Sequence, residues 1–235
     1  ELCNCIEQGK IDYSIENIWF RLEDRSLIKN ETRPLIEDID ALPTIDKELF
    51  EPHVSIENSY LSTPSRGCPY VCNFCSLSFL GAEAKRLGGP RVRERSVDSL
   101  IEEVKNHVTK YKSKWVDFRQ PVMASSKNWA VDFFKKYKEE IGLPFRCFTH
   151  PHLVNEPAIQ AMRDANCFAI QMGVECWDEE VRNIIVNRSE SNEDIKNACQ
   201  IFEKVGQPYA LDYILGLPRA PVKMEDGSTR PMTPE

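Results

Sequence analysis

The stretch SRGCPYVCNFCSL, residues 65–77, decides the fold of this chain. It places three cysteines, Cys68, Cys72 and Cys75, in a Cys-x3-Cys-x2-Cys spacing with no fourth cysteine nearby. A closed structural zinc site takes four ligands, and the nearest histidine in sequence, His53, precedes the strand that leads into this loop. Three thiolates on this spacing can instead hold three corners of a cubane iron–sulfur cluster, which leaves the fourth iron open for another ligand.

The composition, 41% hydrophobic and 29% charged among 235 residues, predicts a globular protein of one domain or slightly more. A formal net charge of −7 argues against a general nucleic-acid binder, whose phosphate contacts need a basic face. No apolar run is long enough to span a membrane and the start does not resemble a signal peptide, so we expect a cytoplasmic location. The chain begins at Glu1 without a methionine and ends in a loop-like stretch, which indicates a piece of something longer.

Apolar runs and helical periodicity alternate along the chain from His53 onward. The runs predict five strands, at residues 60–65, 115–118, 145–149, 168–175 and 209–215. Apolar residues at three- and four-residue spacing predict helices between them, at residues 97–110, from 128 to a stop at Gly142, after the cap Asn155, and from Ser191 to Gly206. Strands that read as apolar runs are typical of a parallel sheet covered by helices.

This alternation predicts an α/β fold, and both a doubly wound sheet and a β/α barrel fit it. In either fold the chemistry collects at the carboxyl ends of the strands. The cysteine loop follows the first predicted strand. Three further segments stand at equivalent places: THPH (149–152) after the third strand, GVEC (173–176) at the fourth and GLP (216–218) after the fifth. We therefore expect all four segments at one edge of the sheet.

The cysteine loop RGCPYVCNFC, residues 66–75, resembles the signature loop of the radical S-adenosylmethionine (SAM) superfamily, including Phe74 before the last cysteine. RVRERSVDSLIEEVK (91–105), GVECWDEEVRNIIVNR (173–188) and LDYILGLP (211–218) are similar to family segments that follow strands one, four and five. The resemblance implies that Cys68, Cys72 and Cys75 hold a 4Fe–4S cluster whose open iron takes SAM. Reductive cleavage of SAM would then give a 5′-deoxyadenosyl radical. The implied fold is a partial β/α (TIM-like) barrel of about six repeats, truncated here after about five.

The same resemblance assigns further cofactor-binding residues. It implies that Phe74 lies against the adenine, that Glu175 and Arg188 help to position SAM, and that Gly216 of GLP gives close backbone approach near the adenine. The residues alone leave other interpretations open. Phe74 could be a core aromatic, Arg188 could form a surface ion pair, Glu175 could cap a helix, and GLP could be a simple turn.

The chain departs from the family pattern after the second and fifth strands. Many members carry a Gly-Gly-Glu-like stretch that binds the methionine ammonium of SAM. Here that place reads DFRQPVMAS (117–125), in which Asp117 is the only carboxylate. After GLP the chain continues as RAPVKMEDGSTRPMTPE (219–235), so a sixth strand is not evident.

The stretch IWFRLEDRSLIKNETRPLIEDIDALPTIDKELFE, residues 18–51, is similar to the linker between a cobalamin-binding domain and a radical SAM barrel. It predicts that residues 1–52 are the tail of such a domain plus the linker, and that residues 53–235 are the radical SAM core, incomplete at its C-terminal end. The favoured function is cobalamin-dependent methyl transfer to an unactivated centre. A methylthiotransferase-like reaction, a cyclisation or rearrangement, and a non-catalytic zinc or iron–sulfur scaffold are the alternatives.

The expected partners are a small-molecule or peptide substrate and a reductant such as flavodoxin or ferredoxin. Two further groups of residues have a functional and a structural interpretation. His150 and His152 could ligate a metal or move a proton, but a loop pair satisfied by backbone carbonyls is the simpler interpretation. Arg91, Arg93 and Arg95 could face an anionic substrate, although a solvated face paired with acidic neighbours is more common.

Overall fold

A computed structural model describes residues 1–123, 127–218, 222–223 and 229–230. Most of the stretch after GLP, residues 219–235, therefore lies outside the described residues. The strands are β1 (Trp19–Arg21), β2 (Leu27–Lys29), β3 (Ser59–Ser62), β4 (Ser65–Gly67), β5 (Val92–Glu94), β6 (Trp115–Phe118), β7 (Phe145–Thr149), β8 (Cys167–Glu175), β9 (Tyr209–Tyr213), β10 (Val222–Lys223) and β11 (Thr229–Arg230). The helices are α1 (Leu2–Glu7), α2 (Ser76–Arg86), α3 (Val97–Tyr111), α4 (Lys127–Glu140), α5 (Glu156–Asp164), α6 (Glu179–Val181) and α7 (Asn192–Val205).

Five strands form a parallel sheet in the order β3-β6-β7-β8-β9, which is the order in which they occur in the chain. A doubly wound sheet reverses its strand order at a switch point, whereas a β/α barrel adds strands sequentially. The sequential order therefore selects the barrel, and the predicted partial β/α barrel is confirmed.

The first predicted strand, residues 60–65, is divided in the structure. β3 ends at Ser62, and β4 begins at Ser65 and pairs antiparallel with β5 instead of continuing the sheet. Pro64 lies between the two strands and cannot donate a ladder hydrogen bond, so the sheet pairing ends there. The fifth predicted strand ends at Tyr213, two residues earlier than expected.

Local sequence signals fix the ends of the long helices. Ser96 accepts a hydrogen bond from the Ser99 amide at the start of α3, and Asn155 accepts one from the Ala158 amide at the start of α5. α7 begins with a capping box between Ser191 and Asp194, in which each side chain accepts from the backbone amide of the other residue. These three predicted starts are confirmed.

The main core lies between the sheet and the helices that cover it. Alternate residues of each strand point outward into this layer, where they meet the apolar faces of α3, α4, α5 and α7. Fully buried members of the layer include Tyr60, Leu100, Val116, Phe118, Phe133, Phe134, Tyr137, Phe145, Cys147, Ile170, Met172 and Phe202. The outer face of the sheet therefore contributes most of the apolar burial that stabilises the fold.

The N-terminal 54 residues form an arm along the outside of the barrel. They contain α1 and the β1–β2 hairpin, and Ile15 and Ile39 are their only buried hydrophobic residues. Polar contacts attach the arm to the barrel: Asp40 accepts from the Ser96 amide at 3.0 Å, and Arg93 donates to the carbonyl of Ile36 at 2.5 Å. The arm therefore depends on the barrel for its conformation.

Candidate active site at the cysteine loop

The cysteine loop, residues 68–75, connects β4 to α2 and is oriented by the glycine that precedes it. Gly67 has φ +93°, and a Cβ at this position would lie 1.8 Å from the carbonyl oxygen of Arg91, the residue just before β5. Only glycine lets the two strands pack this closely while the chain turns into Cys68. Arg91 also donates from Nη2 to the Tyr70 carbonyl at 3.1 Å, and Ser78 Oγ donates to the Cys72 carbonyl at 2.7 Å.

The three thiols of the loop lie in a partly desolvated setting. Cys68 and Cys72 are buried and Cys75 is half-buried. Burial raises the pKa of the Cys68 and Cys72 thiols, while the positive charge of Arg188 works in the opposite direction on both. Within the described part of the chain, no three Cys, His, Asp or Glu side chains converge closely enough to hold one metal ion. In a cubane cluster each thiolate binds a different iron, so this donor set fits a cluster better than a single zinc ion.

A reciprocal set of hydrogen bonds, here named the loop clamp, joins the cysteine loop to the turn that follows α6. Asn73 donates from its amide nitrogen to the Val186 carbonyl at 2.9 Å and from Nδ2 to the Ile185 carbonyl at 3.0 Å. Asn187 donates from Nδ2 to the Val71 carbonyl at 2.8 Å. Asn187 has φ +59°, a left-handed conformation that asparagine tolerates better than most residues. The clamp connects elements more than 110 residues apart.

The turn that carries the clamp is held together by a fully buried arginine. Arg182 donates from Nε and Nη2 to the Glu190 carbonyl, at 3.0 and 2.8 Å. It also donates to the Cys176 carbonyl at 2.7 Å and to Asn192 Oδ1 at 2.9 Å. These partners fix residues 176–192 as one local unit, with a π-helical segment at Arg182–Val186.

A cleft between the cysteine loop and the strand ends brings most of the predicted site residues together. Its lining includes Cys68, Cys72, Cys75, Phe74, Glu175 and Arg188. Phe74 is 54% exposed at this cleft, so the alternative of a core aromatic is wrong. Gly216 does not line the cleft in the described part of the chain; it follows β9 and has φ +77°.

The buried Arg188 and the partly buried Glu175 form an ion pair at the end of β8. Arg188 Nη1 lies 3.0 Å from Glu175 Oε1, and its Nη2 donates to the Gly173 carbonyl at 2.8 Å. A Cβ at Gly173 would lie 2.5 Å from Glu175 Oε1, so glycine makes room for this carboxylate. Burial raises the pKa of Glu175, and the nearby Asp212 adds to this effect while Arg188 opposes it. The surface ion pair and the helix cap considered for these two residues are therefore both wrong.

The backbone at Glu175 departs from regular strand geometry. Glu175 has φ +64°, and the pairing of β8 with β9 shifts register between Gly173 and Glu175. A non-glycine residue in this region is uncommon, and such residues cluster at functional sites. Strand alternation puts Glu175 on the same face of β8 as Gln171 and Gly173, and all three residues line the cleft.

Glu190, which the sequence patterns did not single out, extends this network beneath the cysteine loop. Its carboxylate is fully buried, with Oε1 2.5 Å from Arg188 Nε and Oε2 3.4 Å from His150 Nε2. The His150 ring stacks on the Tyr70 ring, with centroids 3.6 Å apart. Burial alone would raise the pKa of Glu190, but the contact with His150 and the charge of Arg188 outweigh it and lower the pKa to about 2. An unbroken chain of contacts therefore runs from Glu175 to the cysteine loop.

Three other sets of residues named in the sequence analysis make contacts that hold the fold together: the histidine pair, the three arginines and Asp117. His150 is buried while His152 faces Asp194, with Nε2 3.4 Å from Oδ2, so the two histidines do not share a ligand. Arg91, Arg93 and Arg95 each anchor a different segment instead of forming one basic face: the Tyr70 carbonyl, the Ile36 carbonyl, and the carboxylates of Asp40 and Glu103, respectively. Asp117 is already paired with Arg146 and Arg119.

Comparisons with known proteins show the family to which the chain belongs. The family described as the radical SAM superfamily matches residues 62–225. The chain therefore belongs to the radical SAM superfamily, and this family implies a 4Fe–4S cluster and SAM. Among the described residues, no helix has the length and apolar character needed to cross a bilayer.

Individual relatives are more distant. The chain is 24% identical over 223 residues to the uncharacterized methyltransferase PH0819 of Pyrococcus horikoshii, covering 93% of this chain and 46% of that protein. The fold of the chain studied here is similar to that of the radical SAM methyltransferase TsrM of Kitasatospora setae, solved with tryptophan and a SAM analogue. The TM-score is 0.69 at 14% identity, and the match covers 92% of this chain and 44% of TsrM. The fold is also similar to that of the cobalamin-dependent SAM radical enzyme OxsB, with TM-score 0.69 and 14% identity over 90% of this chain and 31% of OxsB. The chain spans less than half the length of each of these proteins.

Proposed function

We propose that this chain contains the radical SAM core of a cobalamin-dependent methyltransferase that acts on an unactivated centre. The main support is the convergence of three thiols with Phe74, Glu175 and Arg188 at one cleft, at the carboxyl ends of parallel strands. The donor set, its burial and the absence of a single-ion geometry among the described residues fit a cubane cluster.

In this proposal Cys68, Cys72 and Cys75 hold the cluster. When bound, the cluster supplies the electron that cleaves SAM into methionine and a 5′-deoxyadenosyl radical. The chain's own contribution is positional. Gly67 allows the chain to turn into the cysteine loop, and the loop clamp holds the loop against the turn after α6. Tyr70 of the loop also stacks on His150. A loop restrained on both sides keeps its thiolates in place with little reorganisation.

Glu175 is proposed to accept hydrogen bonds from the ribose hydroxyls or the ammonium group of SAM. Its pKa is raised because Arg188 only partly offsets the desolvation of this partly buried carboxylate. A hydrogen-bond donor of the ligand would stabilise the charged form further. Arg188 acts chiefly through Glu175, because Nε, Nη1 and Nη2 each donate one hydrogen bond within the site, to Glu190, Glu175 and the Gly173 carbonyl. Phe74 offers an exposed ring to the adenine, and Gly216 remains a predicted contact near it.

Residues 1–52 are proposed to be the tail of a cobalamin-binding domain and its linker, and residues 53–235 the radical SAM core. The arm's small buried content and its polar attachment to the barrel suit a linker. The name of the Pyrococcus relative and the descriptions of TsrM and OxsB support methyl transfer with cobalamin. The remaining partners are a small-molecule or peptide substrate and a flavodoxin or ferredoxin, in the cytoplasm.

Anaerobic reconstitution of the full-length protein tests the proposal. We expect four irons and four sulfides per chain, 5′-deoxyadenosine after reduction with dithionite, and transfer of a labelled methyl group only when cobalamin is present. Stoichiometric zinc without sulfide would show a scaffold instead. Formation of 5′-deoxyadenosine with cobalamin-independent turnover would retain the radical SAM assignment and exclude the cobalamin-dependent reaction.

A further inference from the structure

A second group of charged side chains lies on the inner face of the sheet, outside the cysteine site. The buried carboxylate of Asp117 on β6 accepts from Arg146 of the neighbouring strand β7, with Nε 2.9 Å from Oδ1 and Nη2 2.7 Å from Oδ2. Arg119, the first residue after β6, donates from Nε to Oδ2 at 2.8 Å. Arg119, Asp117 and Arg146 are named the luminal trio.

The luminal trio carries one more positive charge than its own ion pairing requires. One guanidinium would neutralise Asp117, yet two are present. Within the described part of the chain, Asp117 is the only hydrogen-bond acceptor of either guanidinium, so Nη1 of Arg146 and both Nη atoms of Arg119 have donors to spare. The Arg146 side chain is 27% exposed and that of Arg119 is 47% exposed, so these donors face open space.

The two guanidiniums are held in fixed orientations. Asp117 accepts two hydrogen bonds from Arg146 and one from Nε of Arg119. Aromatic rings flank both guanidiniums: Arg146 lies 5.2 Å from the Trp115 ring centroid and Arg119 lies 5.4 Å from that of Phe148. A β/α barrel interior is ordinarily filled with branched apolar side chains. A preorganised pair of guanidinium forks is instead the arrangement that binds carboxylate or phosphate bidentately.

The luminal trio also stands next to the cleft. Phe148, against which Arg119 packs, itself lines the cleft that contains the three cysteines. An anion bound by the trio would therefore sit one aromatic ring away from the proposed SAM site. Anchoring a remote charged group is an effective way to orient the reacting atom of a substrate.

We propose that Arg119 and Arg146 bind a carboxylate or phosphate group of the substrate and so hold its reacting part over the cleft. This inference rests on the proposed function, because it names the substrate class of the same enzyme. It makes Arg119 and Arg146 specificity-determining residues that recognise an anion, while Asp117 is a positioning residue for both.

The first test identifies the substrate. Reconstituted full-length enzyme is incubated anaerobically with cell extract, dithionite and SAM that carries a deuterated methyl group, and mass spectrometry finds the labelled product. We expect a product with a carboxylate or phosphate group, and a KM for its precursor that rises about 10- to 100-fold in Arg119→Gln with a much smaller change in kcat. Arg163→Gln removes an exposed arginine of α5 and serves as the charge-matched control, with KM unchanged. A substrate without an anionic group, or an unaltered KM in Arg119→Gln, overturns the inference.

The second test is independent of turnover. In cluster-free full-length protein, titration with pyrophosphate should change the emission of Trp115, which lies against Arg146, and Trp115→Phe identifies this component. The saturable change should persist in Arg163→Gln and disappear in Arg119→Gln. The anion site is overturned if pyrophosphate causes no change in Trp115 emission, or the same change in Arg119→Gln as in Arg163→Gln, even if methyl transfer is observed. A normal response without SAM cleavage would support the site and count against the proposed function.

Discussion

The two faces of the parallel sheet are built from the same strands and have opposite chemistry. On the outer face, Phe118 and Phe145 are fully buried and pack edge to face with centroids 5.5 Å apart. On the inner face, their neighbours in sequence, Asp117 and Arg146, form an ion pair in partly open space. Because successive side chains of a strand point to opposite faces, one residue contributes to the stabilising core and the next to the proposed substrate site. Substitutions at adjacent positions can therefore test the two faces independently.

The largest expected effect is at the strand ends, at the cysteine loop. Cys72→Ala removes one of three proposed cluster ligands, so we expect iron content to fall severely and SAM cleavage to drop below detection. Iron and sulfide assays with 5′-deoxyadenosine measurement check this. The matched control is Cys3→Ala, which removes an exposed thiol of the arm and should leave both readouts unchanged. Sustained turnover in Cys72→Ala would remove the basis of the proposed site.

The outer face should respond next in size. Phe145→Ala leaves a cavity among Phe118, Phe134 and Tyr137, and we expect it to lower the free energy of unfolding by about 3–5 kcal/mol. Gln171→Ala, on the inner face of β8, should change it by less than about 1 kcal/mol. Urea denaturation of the cluster-free chain measures both. Equal losses would mean that the inner face also forms a packed core.

The buried network beneath the loop should show a pH-dependent effect. Because folding lowers the Glu190 pKa from 4.5 to about 2, the carboxylate stabilises the fold above pH 4.5, and this contribution is lost as the pH falls toward 2. Glu190→Gln should therefore lower the free energy of unfolding at pH 7. The difference in free energy of unfolding between wild type and this variant should be smaller at pH 3 than at pH 7 by about 2 kcal/mol.

Denaturation curves at pH 7, 5, 4 and 3 measure this gap. The exposed Glu180→Gln provides the control and should show no comparable narrowing. A gap that stays constant from pH 7 to 3 would show that Glu190 is not held ionised by His150 and Arg188 in the folded chain.

The smallest effect is expected at the loop clamp. Asn187→Gly keeps the left-handed backbone but removes the hydrogen bond to the Val71 carbonyl, so we expect a loss of about 1 kcal/mol in stability. The more specific readout is anaerobic transfer of iron to a chelator, which should become severalfold faster. Asn183→Gly removes a side-chain hydrogen bond made within its own helical turn, to the Glu179 carbonyl, and should leave the transfer rate unchanged.

The sequence predicted the sheet and the cysteine loop because both depend on local patterns. Apolar runs indicated the five strands, and side chains such as Ser96 and Ser191 marked helix starts. Alternation alone left a doubly wound sheet and a barrel open, because it does not say which strands are neighbours; the family resemblance implied the barrel, and the strand order confirms it. Pro64 was the local signal that the first strand would end early.

The buried polar network was not predictable in the same way. Glu190 and Arg182 are fully buried, yet in sequence they read as ordinary charged residues of a surface turn. Arg182 is buried because the local turn closes around it and supplies carbonyl acceptors, whereas Glu190 lies against His150, which is 40 residues away in the chain. The luminal trio was missed for a related reason: Asp117 was recognised as a carboxylate, but its pairing across strands with Arg146 depends on register.

The long span of the loop clamp has a consequence for biosynthesis. Asn73 and its acceptor Ile185 are separated by 112 residues. A ribosome adding 5–20 residues per second needs roughly 6–22 s to cover that distance. The nascent thiols therefore leave the exit tunnel by about this interval before the turn that will support them. Newly made chains should therefore be most vulnerable to oxidation and to incorrect metals before synthesis passes Asn187, and iron–sulfur assembly factors would act most productively after that point.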